Sequence, residues 1–338
     1  MDSNKLKIAF FEIEDWEKEY MRSHFTGFEL KFFEGNLERE ILPLVEDCQV
    51  ISIFTSSQLS KEVLRDLPSL KMISVRATGF DNIDIEEAKK NGILVFNVPT
   101  YGENTVAEHT FGLILNLSRK IHKSIQSVKE NGFIPDGLRG FDLKGKTLGI
   151  VGTGHIGSHV ARIARGFEMN VVAFDAKKDK KLAKNLGFEY VSLEDLLKNS
   201  DIITLHLPYN KNTHHLINSS NIVLIKKGSY LVNTARGGLV ETSALVGALE
   251  DGTLAGAGLD VLEEECYIKD ERELLTKGFP QKCDVKTMLQ NHVLMERENV
   301  IVTPHNAFNS KEALERILET TVENIQSFSK NKPINTVK

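Results

Sequence analysis

The hexapeptide Gly152-Thr153-Gly154-His155-Ile156-Gly157 constrains the fold more than any other stretch of the chain. Thr147-Leu148-Gly149-Ile150-Val151 before it has strand character, and Val160, Ile163, Ala164 and Phe167 after it recur at helical spacing. At such a strand-to-helix turn the first glycine permits the tight bend and the second lets the backbone approach a ligand. The third lets the helix lie close to the strand, and the amides that open the helix then face an anion. Asp175 ends the next apolar run, Val171-Val172-Ala173-Phe174, 18 residues after Gly157. A carboxylate there accepts hydrogen bonds from ribose hydroxyls and repels a 2′-phosphate. Strand, turn, helix and carboxylate in this register predict an NAD site formed by Gly152, Gly154, His155, Ile156 and Gly157, with the pyrophosphate at Gly154 to Ile156 and the adenosine ribose at Asp175.

Short β-rich runs alternate with helical stretches along the whole chain: Lys7 to Phe11, Val50 to Phe54, Met72 to Val75, Leu94 to Val98, Leu148 to Val151, Val171 to Phe174, Ile202 to Leu207, Tyr230 to Asn233, Gly258 to Val261 and Val300 to Thr303. Alternation of this kind builds parallel α/β sheets. The runs are too many for one six-stranded sheet, and 338 residues suffice for two domains. The expected fold is therefore α/β with two parallel sheets, a Rossmann cofactor domain over 104–303 and a flavodoxin-like substrate domain built from 1–103 and 304–338. The first crossing is predicted at Pro99 to Asn104. The helix that follows, Thr105 to Leu117, is apolar almost all round and is expected to be buried between domains or subunits. After Thr303-Pro304-His305 the chain is predicted to return to the first domain. There Asn309 and Glu312 stand in capping-box spacing before a stripe of Leu314, Ile317, Leu318, Val322, Ile325 and Phe328.

Charge excludes some classes of function. The net charge is −5 and the pI about 6.1, with both signs interspersed, unlike the concentrated positive face of a nucleic-acid binder. Lys177, Lys178, Lys180, Lys181 and Lys184 form a basic cluster, read as a solvated helix face or as an attraction for cofactor phosphates. Cys48, Cys266 and Cys283 are too few and too scattered for a disulfide framework or a zinc site, so a reducing compartment and no metal are expected. The opening residues lack the apolar core of a secretory signal and no run reaches membrane-spanning length, so a cytoplasmic protein without membrane partners is expected.

Three segments offer groups for acid/base chemistry beside a nicotinamide. Arg236, in Asn233-Thr234-Ala235-Arg236-Gly237-Gly238, follows a strand, where its planar fork can pair with a carboxylate. Glu263, Glu264 and Glu265 follow Leu259-Asp260-Val261-Leu262, and His305 follows Val302-Thr303-Pro304. A histidine that exchanges a proton and a glutamate that orients it would complete the set. Together with Gly79-Phe80-Asp81-Asn82-Ile83-Asp84, Ala107-Glu108-His109-Thr110 and Gly258-Leu259-Asp260-Val261, these segments stand in the order of a known family. The chain resembles the D-isomer-specific 2-hydroxyacid dehydrogenases over nearly its full length.

The resemblance implies that Arg236 binds and polarises the substrate, that His305 is the acid/base and that Glu265, five residues after Asp260, is its partner. It also implies that Leu207, Pro208, Thr213, Thr234, Ala235, Arg236 and Asp260 line the cofactor site, and that Thr78, Gly79, Tyr101 and Phe308 receive a small 2-keto acid or 2-hydroxy acid. Tyr101, Phe308 and the 45 residues from Asp260 to His305 look nearest to the D-lactate dehydrogenase branch. The chain departs from the commoner family pattern at Cys266, where many members carry Pro. The implied reaction is reduction of pyruvate by NADH in a cleft between domains, by a homodimer paired through its cofactor domains. Two alternatives stay open: a glyoxylate or hydroxypyruvate reductase with the same machinery, and an NAD(H)-sensing corepressor, for which long flanks are the expected mark.

Overall fold

In the computed structural model, which describes residues 5–265 and 284–337, all strand pairs among the described residues are parallel and form two separate sheets. The first contains β1 (Lys7–Phe10), β2 (Glu29–Phe32), β3 (Val50–Ile53), β4 (Met72–Val75) and β5 (Leu94–Phe96), in the order β2-β1-β3-β4-β5. This is the flavodoxin-like order. β3 and β4 are buried along their whole length, as expected of parallel strands covered on both faces. On one face Ile8, Phe10, Val50, Met72 and Phe96 pack with Leu318, Val322 and Ile325 of the helix Lys311–Ser329. On the other, Ala9, Phe11, Ile51, Ile53 and Ile73 pack with Val63, Leu64 and Ala88. The apolar stripe of the C-terminal helix thus completes the core of the first sheet. Its N-cap is Ser310 rather than Asn309, because the Ser310 hydroxyl accepts from Ala313 N at 3.2 Å.

The second sheet contains β6 (Thr147–Val151), β7 (Asn170–Phe174), β8 (Glu189–Tyr190), β9 (Ile202–Leu205), β10 (Ser229–Asn233), β11 (Leu254–Leu259) and β12 (Val300–Val302). Its order is β12-β11-β10-β9-β6-β7-β8. Counted from β6, this is the Rossmann order with one further strand at its edge, and the direction of winding reverses between β6 and β9. Ligands bind beyond the carboxyl ends of strands at such a reversal.

The chain divides into two compact units, Met1–Tyr101 with Ser310–Lys338, and Gly102–Asn309. These bounds differ from the sequence expectation mainly at residues 304–309, which belong to the second unit. The reason is local: the Asp260 carboxylate accepts from Asn306 N and Ala307 N, and His305 N donates to Asp260 O. The helix Glu103–Arg119, expected between domains or subunits, is buried within the second unit. Phe111 stacks on Phe167, and Leu113 and Leu117 press on β11 at Gly258, where no side chain would fit easily. Cys48 is a free, buried thiol, while Cys266 and Cys283 lie outside the described residues. No helix among the described residues is long and apolar enough to cross a membrane.

Candidate active site

At the carboxyl end of β6 the chain turns through Gly152, whose φ is +98°. A Cβ there would lie 2.7 Å from His206 O and 2.9 Å from Leu207 Cδ2, and a Cβ on Gly157 would collide with the Gly152 carbonyl. Gly154, by contrast, has open space where a Cβ would stand. The helix His155–Gly166 begins there with no side-chain cap and no acidic residue in its first turn, so its leading amides remain available to an anion. Asp175 Oδ2 accepts from Thr153 N at 2.7 Å and Thr153 Oγ1 at 3.1 Å, and Oδ1 accepts from Lys177 N at 2.8 Å. A carboxylate has roughly four acceptor positions, so one on Oδ1 remains for a ribose hydroxyl. Tyr190 braces the arrangement, its hydroxyl 2.8 Å from Thr153 Oγ1.

Across the reversal point, His206 follows β9. Its Nε2 lies 2.9 Å from Thr204 Oγ1, while Nδ1 is buried with no partner among the described residues. Burial pushes this imidazole down to about 3, so the ring is neutral. Thr213 Oγ1 donates to Pro208 O at 2.7 Å and accepts from Asn210 N at 2.8 Å, which closes the loop that begins at Leu207. An open approach at Gly154, an uncapped helix, a held carboxylate and an orphaned ring nitrogen along one sheet edge fit a dinucleotide.

The carboxyl ends of β10, β11 and β12 are neighbours in the same sheet, and the residues read as chemical follow them. Asn233 holds the loop after β10: its Nδ2 donates to Arg236 O at 2.8 Å and its Oδ1 accepts from Ala235 N at 3.0 Å. Arg236 Nη1 donates to Ala235 O at 2.8 Å, and Thr234, buried, shares a 2.9 Å hydrogen bond with Thr110. Glu265 Oε1 lies 2.6 Å from His305 Nδ1, and its Oε2 accepts from Leu262 N at 3.1 Å. A carboxylate only accepts, so Nδ1 carries the proton of that bond and Nε2 is left as the nitrogen that gains or loses one. His305 and Glu264 both have left-handed backbones, at φ 50° and 58°, a conformation that non-glycine residues hold only with outside support.

Of the three consecutive glutamates, the structure brings only Glu265 to His305. Glu263 instead lies against His215, and the Glu264 carboxyl is raised by burial and then by the charges of Glu263 and Asp284. Asp260 is buried, and its carboxylate is filled by protein donors: Thr303 Oγ1 at 2.5 Å, Asn306 N at 2.8 Å and Ala307 N at 2.9 Å, with His109 Nε2 at 3.4 Å. It secures the loop that carries His305. His109, also 3.1 Å from Thr303 Oγ1, joins that support, a role its place in the sequence does not signal.

Thr78, Gly79 and Tyr101 belong to the first unit and Phe308 to the second. Thr78 follows β4, where its hydroxyl donates to Val98 O at 2.8 Å and its carbonyl accepts from Asn97 Nδ2 at 2.8 Å. Two residues earlier, the buried Arg76 donates to Phe11 O, Glu12 O and Ser52 Oγ. Tyr101 O accepts from Arg316 Nε at 2.6 Å.

The family model for the D-isomer specific 2-hydroxyacid dehydrogenase NAD binding domain matches residues 111–307. The chain is 35% identical to the D-lactate dehydrogenase of Escherichia coli over 334 residues, which covers 97% of this chain and 98% of that one. It is 36% identical to the glyoxylate reductase of Thermococcus litoralis over 317 residues, 89% of each. Among solved structures, the D-lactate dehydrogenase of Aquifex aeolicus complexed with NAD and lactic acid is similar with a TM-score of 0.86 and 38% identity, covering 96% of both chains. Fold, glycine turn and matches agree: the chain belongs to the D-isomer specific 2-hydroxyacid dehydrogenases, which are NAD-dependent oxidoreductases.

Proposed function

We propose that this chain reduces pyruvate to D-lactate, with Arg236, Glu265 and His305 as its catalytic residues. The observation that carries the reading is the 2.6 Å contact between Glu265 and His305, at the edge of adjacent strands that also leads into Arg236. NADH, when bound, supplies the hydride that reaches the keto carbon. The Arg236 guanidinium binds the substrate carboxylate and draws charge from the keto oxygen. His305, protonated at Nε2, donates that proton to the oxygen as it becomes a hydroxyl. Glu265 accepts from Nδ1–H, fixes the ring's orientation and opposes the charge that the ring carries as the acid. Thr78, Gly79, Tyr101 and Phe308 are proposed as substrate-binding residues on the family resemblance. Leu207, Pro208, Thr213, Thr234, Ala235 and Asp260 are proposed to line or support the cofactor site.

The Escherichia coli relative and the Aquifex aeolicus structure favour lactate chemistry, while the Thermococcus litoralis relative favours a glyoxylate reductase. Comparing kcat/KM for pyruvate, glyoxylate, hydroxypyruvate and bulkier 2-keto acids with NADH separates the two. Pyruvate is expected to rank first, and a higher value for glyoxylate or hydroxypyruvate would replace it. A homodimer is part of the proposal, although the apolar residues of the helix Glu103–Arg119 are largely buried within the second unit. Support comes instead from the helix Ile121–Asn131, which exposes Ile121, Ile125 and Val128 at helical spacing, with Phe133 beyond it 96% exposed. Sedimentation as a monomer at micromolar concentration would refute this. A cytoplasmic setting is proposed with it, supported by the free thiol of Cys48.

A further inference from the structure

The second unit holds another histidine–glutamate pair that the acid/base reading leaves unused. His215 Nε2 lies 2.5 Å from Glu263 Oε1. Glu263 Oε2 accepts from Thr242 Oγ1 at 2.7 Å, and Glu263 O accepts from Nδ2 of the fully buried Asn291 at 2.6 Å. One residue therefore ties together the loop after β9, the first turn of the helix Thr242–Glu250, the helix Val285–Glu296 and the turn that carries Glu265.

His215 reaches the Arg236 loop as well. Its own backbone is left-handed at φ 47°, and its amide donates to Gly238 O at 2.8 Å. Gly237, the residue after Arg236, sits so close to the backbone of Leu262 and Glu263 that a Cβ there would collide with it. Any shift of Glu263 is thus felt on both sides, at Arg236 through Gly237 and at Glu265 through the left-handed Glu264. Charged and titratable neighbours also face the pair. His214 stacks on His215 with ring centroids 3.8 Å apart, and Tyr209 Oη lies 3.0 Å from His214 Nδ1. The Glu241 carboxyl is held down by hydrogen bonds from Ser243 and Ser219 and, more weakly, by His215. Glu264, near Asp284, faces Glu263 from the turn itself.

We propose that His215 and Glu263 are a positioning pair for the reduction: they fix the Leu262-to-Glu265 turn so that Glu265 reaches His305 Nδ1, and they seat the Arg236 loop against that turn. The proposal rests on the reading of His305 as the acid and Glu265 as its partner. Neither member of the pair meets the substrate in this role. They act by preventing the small displacement that weakens an oriented contact.

The test measures kcat and KM for pyruvate reduction against pH in the wild type, His215→Ala, Glu263→Gln and Glu265→Gln. NADH affinity by fluorescence titration and melting temperature accompany each variant. Misplacement by about 1 Å lowers turnover by up to about 10²-fold, so both pair variants are expected to lose roughly 10- to 10²-fold in kcat. Their alkaline limb should move to lower pH, the direction expected of Glu265→Gln, with NADH affinity retained. A lowered melting temperature with the alkaline limb at its wild-type position would mean a structural role alone and overturns the proposal. Glu263→Gln keeps volume and the acceptor for Thr242, so it carries the test if His215→Ala does not fold. If Glu265→Gln moves the limb and the pair variants do not, the positioning role falls and the acid/base reading stands. If Glu265→Gln itself leaves the limb in place, both fall.

Discussion

Alanine at Gly152 and at Gly154, two residues apart, should separate the folding of the glycine turn from its use. At Gly152 the backbone has φ +98°, and an added Cβ would stand 2.7 Å from His206 O and 2.9 Å from both His206 C and Leu207 Cδ2. Two of these three atoms are backbone at the end of β9, so they cannot rotate aside. The backbone conformation costs a non-glycine residue about 1–3 kcal/mol, and overpacking of this kind costs about 1–3 kcal/mol more. The sum is a large part of the roughly 5–15 kcal/mol that holds a domain together. At Gly154 the backbone is extended, with φ −66° and ψ −158°, and a Cβ would meet nothing within 4 Å. Its methyl would stand on the open side of the turn, where a pyrophosphate must approach. Gly152→Ala should therefore lose roughly 2–6 kcal/mol in urea unfolding followed by circular dichroism. Gly154→Ala should stay within about 0.5 kcal/mol of the wild type, yet bind NADH far more weakly in a fluorescence titration. A wild-type unfolding midpoint for Gly152→Ala, or wild-type NADH affinity for Gly154→Ala, would refute the reasoning.

Two further outcomes follow from carboxylates held by backbone amides. Asp175→Ala should narrow the preference for NADH over NADPH in steady-state kinetics and also weaken NADH itself, since Asp175 holds the Thr153 amide of the turn; an unchanged NADH-to-NADPH ratio would contradict the ribose assignment. For Asp260, burial alone would raise the carboxyl, but hydrogen bonds from His109, Thr303, Ala307 and Asn306 outweigh it and hold it below its ordinary 3.8. A depressed carboxylate stabilises the fold above its unfolded value and loses that contribution as pH falls through the folded one. Asp260→Asn should therefore lose about 1–3 kcal/mol at neutral pH and show a shallower loss of stability below pH about 4 than the wild type. Urea unfolding at pH about 7, about 4 and about 3 checks both parts, and parallel pH profiles would contradict the second.

What the sequence reveals here is what local pattern encodes. The glycine turn, Asp175 and the apolar strands β3, β4, β6 and β9 are legible because each carries its own periodicity or turn chemistry. β2 and β8 are not: Glu29–Phe32 and Glu189–Tyr190 are short, partly exposed edge strands with little apolar signal. Contacts between distant residues leave no mark either. Glu263 and Glu265 are equivalent in composition and differ only in which histidine the fold brings to them, one 48 residues away and the other 40. Arg76 looks like a surface charge interrupting an apolar run, yet it is buried because carbonyls some 65 positions earlier accept from it. The helix Glu103–Arg119 illustrates a third limit. Its apolar character announces burial, but only the fold identifies the partners as Phe167 and β11.

The claim that His305 delivers the proton is tested most directly by His305→Gln, with NADH binding and pyruvate turnover measured on the same preparation. Gln preserves a polar side chain at the position but cannot exchange a proton near neutral pH. The account predicts NADH affinity close to that of the wild type and a loss in kcat of about 10²- to 10⁴-fold, the usual contribution of a positioned acid/base. Turnover within about 10-fold of the wild type, at unchanged NADH affinity, would contradict it.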